Sequence, residues 1–442
     1  MSYKIKQPSM SRTGKCRFKS LIPNFPQSVS PVLSKIDLNK KERRRLLRSI
    51  AEGKIDCDFQ EALYWLDDKQ NIKEGAKVVG IGSYGIVFSG CPDNQCKNKV
   101  AVKAITISES ILYDVHHPVS IEISFLEELR ELYKKDITPH MTLLFFHFFC
   151  SLMPNFIDDV HSDDSDDDSD DSDDDSDNDD DKLISWKEEA QELYLDGLIN
   201  DEIAILVTEL ANTDVYKLLM DDKNPLTKLQ WEVLLFQVMH IIATLQYHLP
   251  GFRHNDFKIN NILANTYKPK DGDYIVYKMF GKEFYVPDIG IQLMAWDFDF
   301  AGSHKHRNAR HTDNFYKNFG CNEDANPVYD IHLFLNSILI YAPNSIHKDI
   351  LPFFETALVD DISGNNSLYT IHGRLTKYKS TRDPDNTTYI PPSLKTPSEY
   401  LLFDSIFNKF RNKPRKSINV ISKYDTKIKK YSKIKNRKDM FK

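Results

Sequence analysis

Cysteine and glycine are both scarce in this chain, at 6 and 16 of 442 residues. The cysteines (Cys16, Cys57, Cys91, Cys96, Cys150 and Cys321) include no C-x-x-C pair, so neither a zinc ribbon nor a disulfide framework is expected, and reduced thiols are. An apolar signal region is missing from the N-terminal MSYKIKQPSM, so secretion is not expected. Long hydrophobic runs are missing too. The most apolar one, MTLLFFHFFCSLMPNFI from Met141, is short for a bilayer span and is broken by His147. Apart from His161, basic side chains are absent between Asp158 and Asp181, where 16 aspartates crowd together; taking those charges away turns the net −7 into +9. The protein therefore reads as moderately basic with one acidic insert. What is plentiful is apolar surface: 41% hydrophobic and 12% aromatic residues can build a sizeable core, which excludes wholesale disorder.

Periodicity divides the chain. Residues 1–71 read as an N-terminal extension holding a basic amphipathic helix, NKKERRRLLRSIAEGKI from Asn39, with Leu46, Leu47 and Ile50 on one face. Strand-like runs follow, KVVGI, GIVFSG and KVAVKAI, parted by turn residues as in an antiparallel meander. Helical spacing then appears in SIEISFLEELRELY, and two further apolar strands, MTLLFFHFF and EIAILVTEL, flank the insert. From QWEVLLFQVMHIIATLQ onward the pattern turns helical, with Leu234, Val238, Ile241 and Leu245 as a buried stripe. Strands first and helices later imply an α+β fold in two lobes, a small β-rich one and a larger helical one. The insert at 158–181 is expected to be disordered through like-charge repulsion. From Lys409 to the end there are 14 Lys/Arg against 2 Asp, so residues 411–442 read as a basic tail able to contact nucleic acid, an anionic membrane or an acidic protein.

Against that scarcity of glycine, VGIGSYGIVFSG places Gly80, Gly82 and Gly85 at G-x-G-x-x-G spacing, with Val87 two residues on. In a Rossmann fold this pattern opens a helix, but here GIVFSG continues as a strand, so the loop is a strand–turn–strand. Without Cβ atoms, its backbone N–H groups can approach phosphate oxygens, and Val87 would cover an adenine. Lys103 lies on the next strand in VAVK and needs an anion. Glu122, on the following helix, can pair with it.

The deciding stretch is RHNDFKINNIL from Arg253, in which His254, Asp256, Lys258 and Asn261 form H-x-D-x-K-x-x-N. AWDFDFAG follows, with Asp297, Phe298 and Asp299. Asp256 would accept the proton of an attacking hydroxyl, Lys258 would neutralise a γ-phosphate, and Asn261 and Asp297 would bind Mg²⁺ (or Mn²⁺). In these motifs, residues 72–410 resemble the eukaryotic protein kinase family. The resemblance implies a bilobal kinase domain with nucleotide in its cleft, ATP as phosphate donor, and catalytic roles for Asp256, Lys258, Lys103 and Glu122. It implies nucleotide contacts at Gly80, Ile81, Gly82, Gly85, Val87, Ala101, Lys103, Glu209 and Ala211. Thr208 would be the gatekeeper before a hinge running from Glu209 to Ala211, and Lys258 favours serine/threonine acceptors.

Three features are similar to the virion-assembly serine/threonine kinases of poxviruses: D-F-D in place of D-F-G, a hairpin-like insert DYIVYKMFGKEFYVP, and YDIHLFLNSIL around Asp330, which would tie down the catalytic loop. That likeness implies a viral protein of host cytoplasm or virion. Departures are equally specific. Asn255 stands where the family has arginine, which implies activity without activation-segment phosphorylation. Asp299 replaces a glycine and either caps a turn or joins a metal site. H-N-D with D-x-D also fits small-molecule kinases of the choline and aminoglycoside type, and a pseudokinase scaffold is a third reading. Lys305, Arg307 and Arg310 would make a basic groove favouring acidic protein substrates, with Ser165, Ser172 and Ser176 of the insert as targets for self-phosphorylation.

Overall fold

The computed structural model describes residues 77–82, 85–90, 100–107, 114–151, 192–199, 202–312, 315–316, 326–358, 372–375 and 395–428. The basic helix expected near residue 39, the acidic insert with its serines, and the basic residues beyond 428 lie outside these. Helices and sheets are both present, so the α+β expectation holds. Two compact units form, with boundaries after Tyr113, Leu143 and Leu210.

The first unit is a five-stranded sheet in the order β1-β2-β3-β5-β4, formed by β1 (Lys77–Gly82), β2 (Gly85–Gly90), β3 (Val100–Thr106), β4 (Leu144–Ser151) and β5 (Glu202–Glu209). Every pairing is antiparallel, as the meander pattern implied. β5 runs inside the sheet, and Ile203 through Val207 are all buried, which is why its sequence is continuously apolar rather than alternating. One glycine requirement here is purely structural. A Cβ on Gly85 would stand 2.3 Å from the Ala104 carbonyl oxygen across the ladder, so no side chain fits at that position.

The second unit begins with α1 (Pro118–Lys134), whose Ile121, Phe125, Leu129 and Leu132 are buried. β6 (Thr213–Asp214) leads through α2 (Val215–Leu219) to α3 (Lys228–His248). A capping box between Thr227 and Gln230 starts α3. Every residue of α3 from Trp231 to Leu245 is buried, polar ones included. The expected stripe is thus an all-round burial, because the helix is the unit's central strut and has no solvent face along that stretch.

β7 (Ile262–Thr266) pairs with β6 and with β10 (Ile291–Ala295). The expected hairpin insert is β8 (Asp273–Met279) and β9 (Lys282–Pro287), turning through Phe280 at φ 55° and Gly281 at φ 70°. Two left-handed residues make the tight turn that matches strand twist. α4 (Tyr329–Tyr341), α5 (Leu351–Ala357) and α6 (Pro397–Phe403) complete the helices. β11 (Asn419–Asp425) then runs parallel to β8 and closes a sheet ordered β11-β8-β9. Segment 411–442, read from its charge as a tail, therefore contributes a strand: Lys423 is exposed, while the Tyr424 ring is buried and stacks on Tyr277. Among the described residues no helix is long and apolar enough to cross a membrane.

Candidate functional site

The sequence-predicted residues fall into two groups, one in each unit. In the first unit Gly80 pairs with Val87 and Gly82 with Gly85 across the β1–β2 ladder. Val87 lies opposite Lys103, and Ala101 lies opposite Thr208. Directly opposed residues, and residues two apart on a strand, share a face. Val87, Ala101, Lys103 and Thr208 therefore share one face of this sheet. The space a Cβ on Gly80 would occupy is open for 4 Å, so the glycine there is not demanded by packing. Glu209 ends β5 and is buried, and Ala211 follows just past the unit boundary. Ile81 lies on β1.

In the second unit, Glu122 is fully buried on α1. The H-x-D-x-K-x-x-N segment leaves α3 through Phe252 and is held by backbone before any side chain acts: Arg253 and Gly302 exchange N–H···O bonds of 2.9 Å in both directions. Asp330, at the start of α4, receives the backbone N–H of His254 on Oδ2 at 2.9 Å and that of Asn255 on Oδ1 at 3.0 Å. It ties the loop down, the role the resemblance implied for it. Burial pushes the Asp330 carboxyl upward, and the nearby His254 together with those two N–H groups holds it back. Asn255 has φ 64°, a left-handed conformation that asparagine tolerates better than most residues. Its amide Nδ2 donates to the Phe300 carbonyl at 2.9 Å, which also accepts from His311 Nε2 at 2.9 Å.

Asp256, nearly buried, is surrounded by donors. Asn261 Nδ2 gives hydrogen bonds to its Oδ2 at 2.8 Å and to its backbone oxygen at 3.0 Å. Lys258 Nζ is 3.1 Å from Oδ2. Arg374 places its NH2 2.5 Å from Oδ1. Arg374 was not visible to sequence reasoning: it lies 118 residues from Asp256 in sequence, in a stretch without a motif. Asp256, Lys258 and Asn261 are thus brought together. The 3-10 turn Ile259–Asn261 sets their spacing, and its first amide is capped by Ser337 Oγ at 3.1 Å.

Asp297 has φ 64° and is partly exposed. Phe298, beside it, is buried between rings, 5.0 Å from His254 and 5.8 Å from Phe125 of α1. Asp299 is turned elsewhere: its Oδ2 accepts from Arg310 NH1 at 2.8 Å, while its backbone oxygen accepts from Asn308 at 2.7 Å. Arg310 also lies over the Phe300 ring, and Lys305 pairs with Glu128 of α1. Of the three cations expected to line a substrate groove, two are therefore matched internally, and Arg307 stays exposed.

For a divalent cation the donor set fits. Asn261 directs its amide nitrogen at Asp256 in both contacts, which turns its carbonyl oxygen away, and Asp297 supplies a carboxylate; both are the hard oxygens Mg²⁺ demands. Among the described residues no three His, Cys, Asp or Glu side chains converge as a protein-only metal site. A cation bound through these two residues would take its remaining ligands from phosphate and water.

Comparison with known proteins now bears on this geometry. No protein-family model matches the chain. It is 25% identical over 315 residues to an Acanthamoeba polyphaga mimivirus protein named "Putative serine/threonine-protein kinase", a match covering 66% of this chain and 60% of that protein. A second mimivirus protein of the same name is 29% identical over 193 residues, covering 41% of this chain and 47% of the relative. The chain thus spans between about half and three-fifths of the length of these relatives. The similarity reaches named kinases of a large DNA virus.

Proposed function

We propose that this chain is an ATP-dependent serine/threonine protein kinase of viral type, with the bilobal kinase arrangement. The glycine-bearing face of the first unit would hold the nucleotide, and the Asp256 loop of the second would direct transfer. The observation that carries the reading is the Asp256 cluster. Asn261 and Lys258 bind one carboxylate oxygen while Asp330 fixes the backbone just before it. Such a base is held for orientation rather than strength, which is what phosphoryl transfer through a loose transition state asks for.

The step balances simply. The acceptor hydroxyl oxygen bonds to the γ-phosphorus, the bond to the β,γ-bridging oxygen breaks, ADP leaves, and the hydroxyl proton passes to Asp256. Lys258 would offset charge on the transferring group, and Lys103 would position the other phosphates, with Glu122 a further catalytic residue. Gly80, Ile81, Gly82, Gly85, Val87, Ala101, Glu209 and Ala211 would contact the nucleotide. Asn261 and Asp297 would hold Mg²⁺ or Mn²⁺, which supplies charge neutralisation. The D-F-D motif and the β8–β9 hairpin support kinship with the poxvirus virion-assembly kinases. The small-molecule-kinase reading needs Asp299 as a metal ligand, and the Arg310 contact to Asp299 weighs against that. Acidic protein acceptors follow from exposed Arg307 and the basic C-terminal segment, for which nucleic acid and anionic membrane are the competing partners.

The test is transfer from labelled ATP, with Mg²⁺ or Mn²⁺, to casein, to basic proteins and to choline-like amines. Wild type should label protein, and Asp256→Asn should lose transfer while still binding nucleotide. Wild-type turnover in Asp256→Asn would overturn the base assignment, and labelling of amines alone would favour a small-molecule kinase.

A further inference from the structure

Where Asn255 leaves the residue before Asp256 without a cation, a guanidinium arrives from elsewhere in the chain. Arg374 has three anchors: Oδ1 of Asp256 at 2.5 Å, the backbone oxygen of Asn255, and the Tyr329 hydroxyl at 3.4 Å. Only 14% of its side chain is exposed, and Tyr329 is fully buried. Burial opposes the charge, yet the Tyr329 and Asp256 oxygens outweigh it and hold Arg374 firmly cationic.

The short segment that carries it is seated deliberately. Gly373 has φ 74°, and a Cβ there would come within 2.6 Å of the Asn336 Cβ on α4. Asn336 Nδ2 in turn donates to the Gly373 carbonyl at 3.0 Å. A left-handed glycine pressed against a helix, with an amide holding its carbonyl, aims the next side chain into the loop. Asp256 is thereby gripped on both oxygens, by Arg374 on Oδ1 and by Lys258 and Asn261 on Oδ2.

We propose that Arg374 is a positioning residue for phosphoryl transfer: it fixes the plane of the Asp256 carboxylate and supplies the cation that Asn255 does not. The inference rests on the kinase reading above. A guanidinium that merely blocked the base would need only the base as partner. Arg374 is held as well by Asn255 and Tyr329, which belong to the scaffold. Oδ1 keeps a second lone pair to accept the substrate hydroxyl, so the contact orients the base without consuming it.

The experiment measures kcat, ATP KM and nucleotide affinity for Arg374→Ala, Arg374→Lys and Asn336→Ala in the full-length protein, with Asp256→Asn as control and the acceptor that wild type labels best. Arg374→Ala should lower kcat roughly 10–100-fold, the scale of one lost charge-assisted hydrogen bond, with ATP KM and nucleotide affinity unchanged. Arg374→Lys should recover part of the loss, and guanidinium ion at non-denaturing concentration should raise kcat of Arg374→Ala but not of Asp256→Asn. Asn336→Ala, which touches no reacting group, should lose kcat in parallel. Wild-type or higher kcat in Arg374→Ala overturns the inference while leaving the kinase reading intact, the higher value marking a latch. A kcat loss that neither lysine nor guanidinium relieves also overturns it. If wild type transfers no more phosphate than Asp256→Asn, the kinase reading falls and the inference with it.

Discussion

At the scale of single residues, two aspartates two positions apart are both partly exposed but differ in backbone and setting. Asp297 has a left-handed backbone beside the buried Phe298, and Asp299 accepts from Arg310 within its own segment. If the first ligates metal and the second holds a turn, their substitutions should separate cleanly. Asp297→Ala should lower turnover by orders of magnitude, because charge neutralisation supplies much of the barrier reduction. Asp299→Asn and Arg310→Gln should each cost less than about tenfold, and the double variant no more than the larger single one, since both remove one shared contact. Steady-state kinetics across a Mg²⁺ titration checks this. An unchanged Mg²⁺ dependence in Asp297→Ala, or a collapse in Asp299→Asn, would reverse the assignments. Not all of this was open to sequence reasoning. Asp256, Lys258 and Asn261 were legible because they sit within six positions and local geometry brings them together. Arg374 was not, because its place depends on Asn336 and Gly373 meeting across a tertiary contact. The charge of Lys305 and Arg310 was legible, but their pairing with Glu128 and Asp299 was not.

At the scale of elements, the first sheet sets two demands on its glycines that spacing alone cannot tell apart. Gly85 is needed because Ala104 of the neighbouring strand leaves no room for a Cβ, whereas Gly80 faces open space. Gly85→Ala should therefore cost stability, about 1–3 kcal/mol as for an overpacked site, and lower the urea midpoint. Gly80→Ala should leave the unfolding free energy within about 0.5 kcal/mol of wild type while weakening nucleotide binding, because a methyl group would stand where phosphate oxygens approach the backbone. Equal loss of stability in both variants would make the motif a turn requirement and nothing more. The strands and helices themselves were legible from period and punctuation. β8–β9 showed as the hairpin-like insert DYIVYKMFGKEFYVP, and α1 as a repeating apolar face. β11 was masked by its setting: N-V-I-S-K-Y-D can be read as a strand, but the lysines around it drew the reading toward a solvated tail. Charge density reports on solvation, and an edge strand with one buried tyrosine carries it without conflict.

For the molecule as a whole, the described second unit carries several buried histidines that should set its response to acid. Within the second unit, burial lowers His140 and His311 to about 4 and His332 to about 3, and pushes His240 well below its ordinary value. Burial outweighs the bond from His140 Nδ1 to the Leu293 oxygen at 2.8 Å, which favours the charged ring, and the other ring nitrogen lies 2.9 Å from the Tyr277 hydroxyl. A histidine depressed in the folded state contributes stability that is complete above its unfolded pKa of about 6.5. That stability is lost as pH falls toward the folded value, since the unfolded chain binds the proton first. The window is therefore about pH 6.5 to 4 for His140 and His311 and about 6.5 to 3 for His332, with a limiting slope of about 1.4 kcal/mol per pH unit for each such histidine. All four lie in the unit built on α3 and α4. Acidification from pH 7 to 5 should accordingly open that unit before the sheet of the first. Hydrogen exchange, corrected for the intrinsic pH dependence of amide rates, reads this directly: protection should fall across residues 228–248, 291–295 and 329–341 while residues 100–106 and 203–207 keep theirs. His332→Gln should flatten the pH dependence of the thermal midpoint between 6.5 and 5, even if it lowers the midpoint at neutral pH, because the proton-binding difference goes with the ring. Earlier loss of protection in the first sheet would mean that its own charges, rather than the buried imidazoles, set the acid limit of the fold.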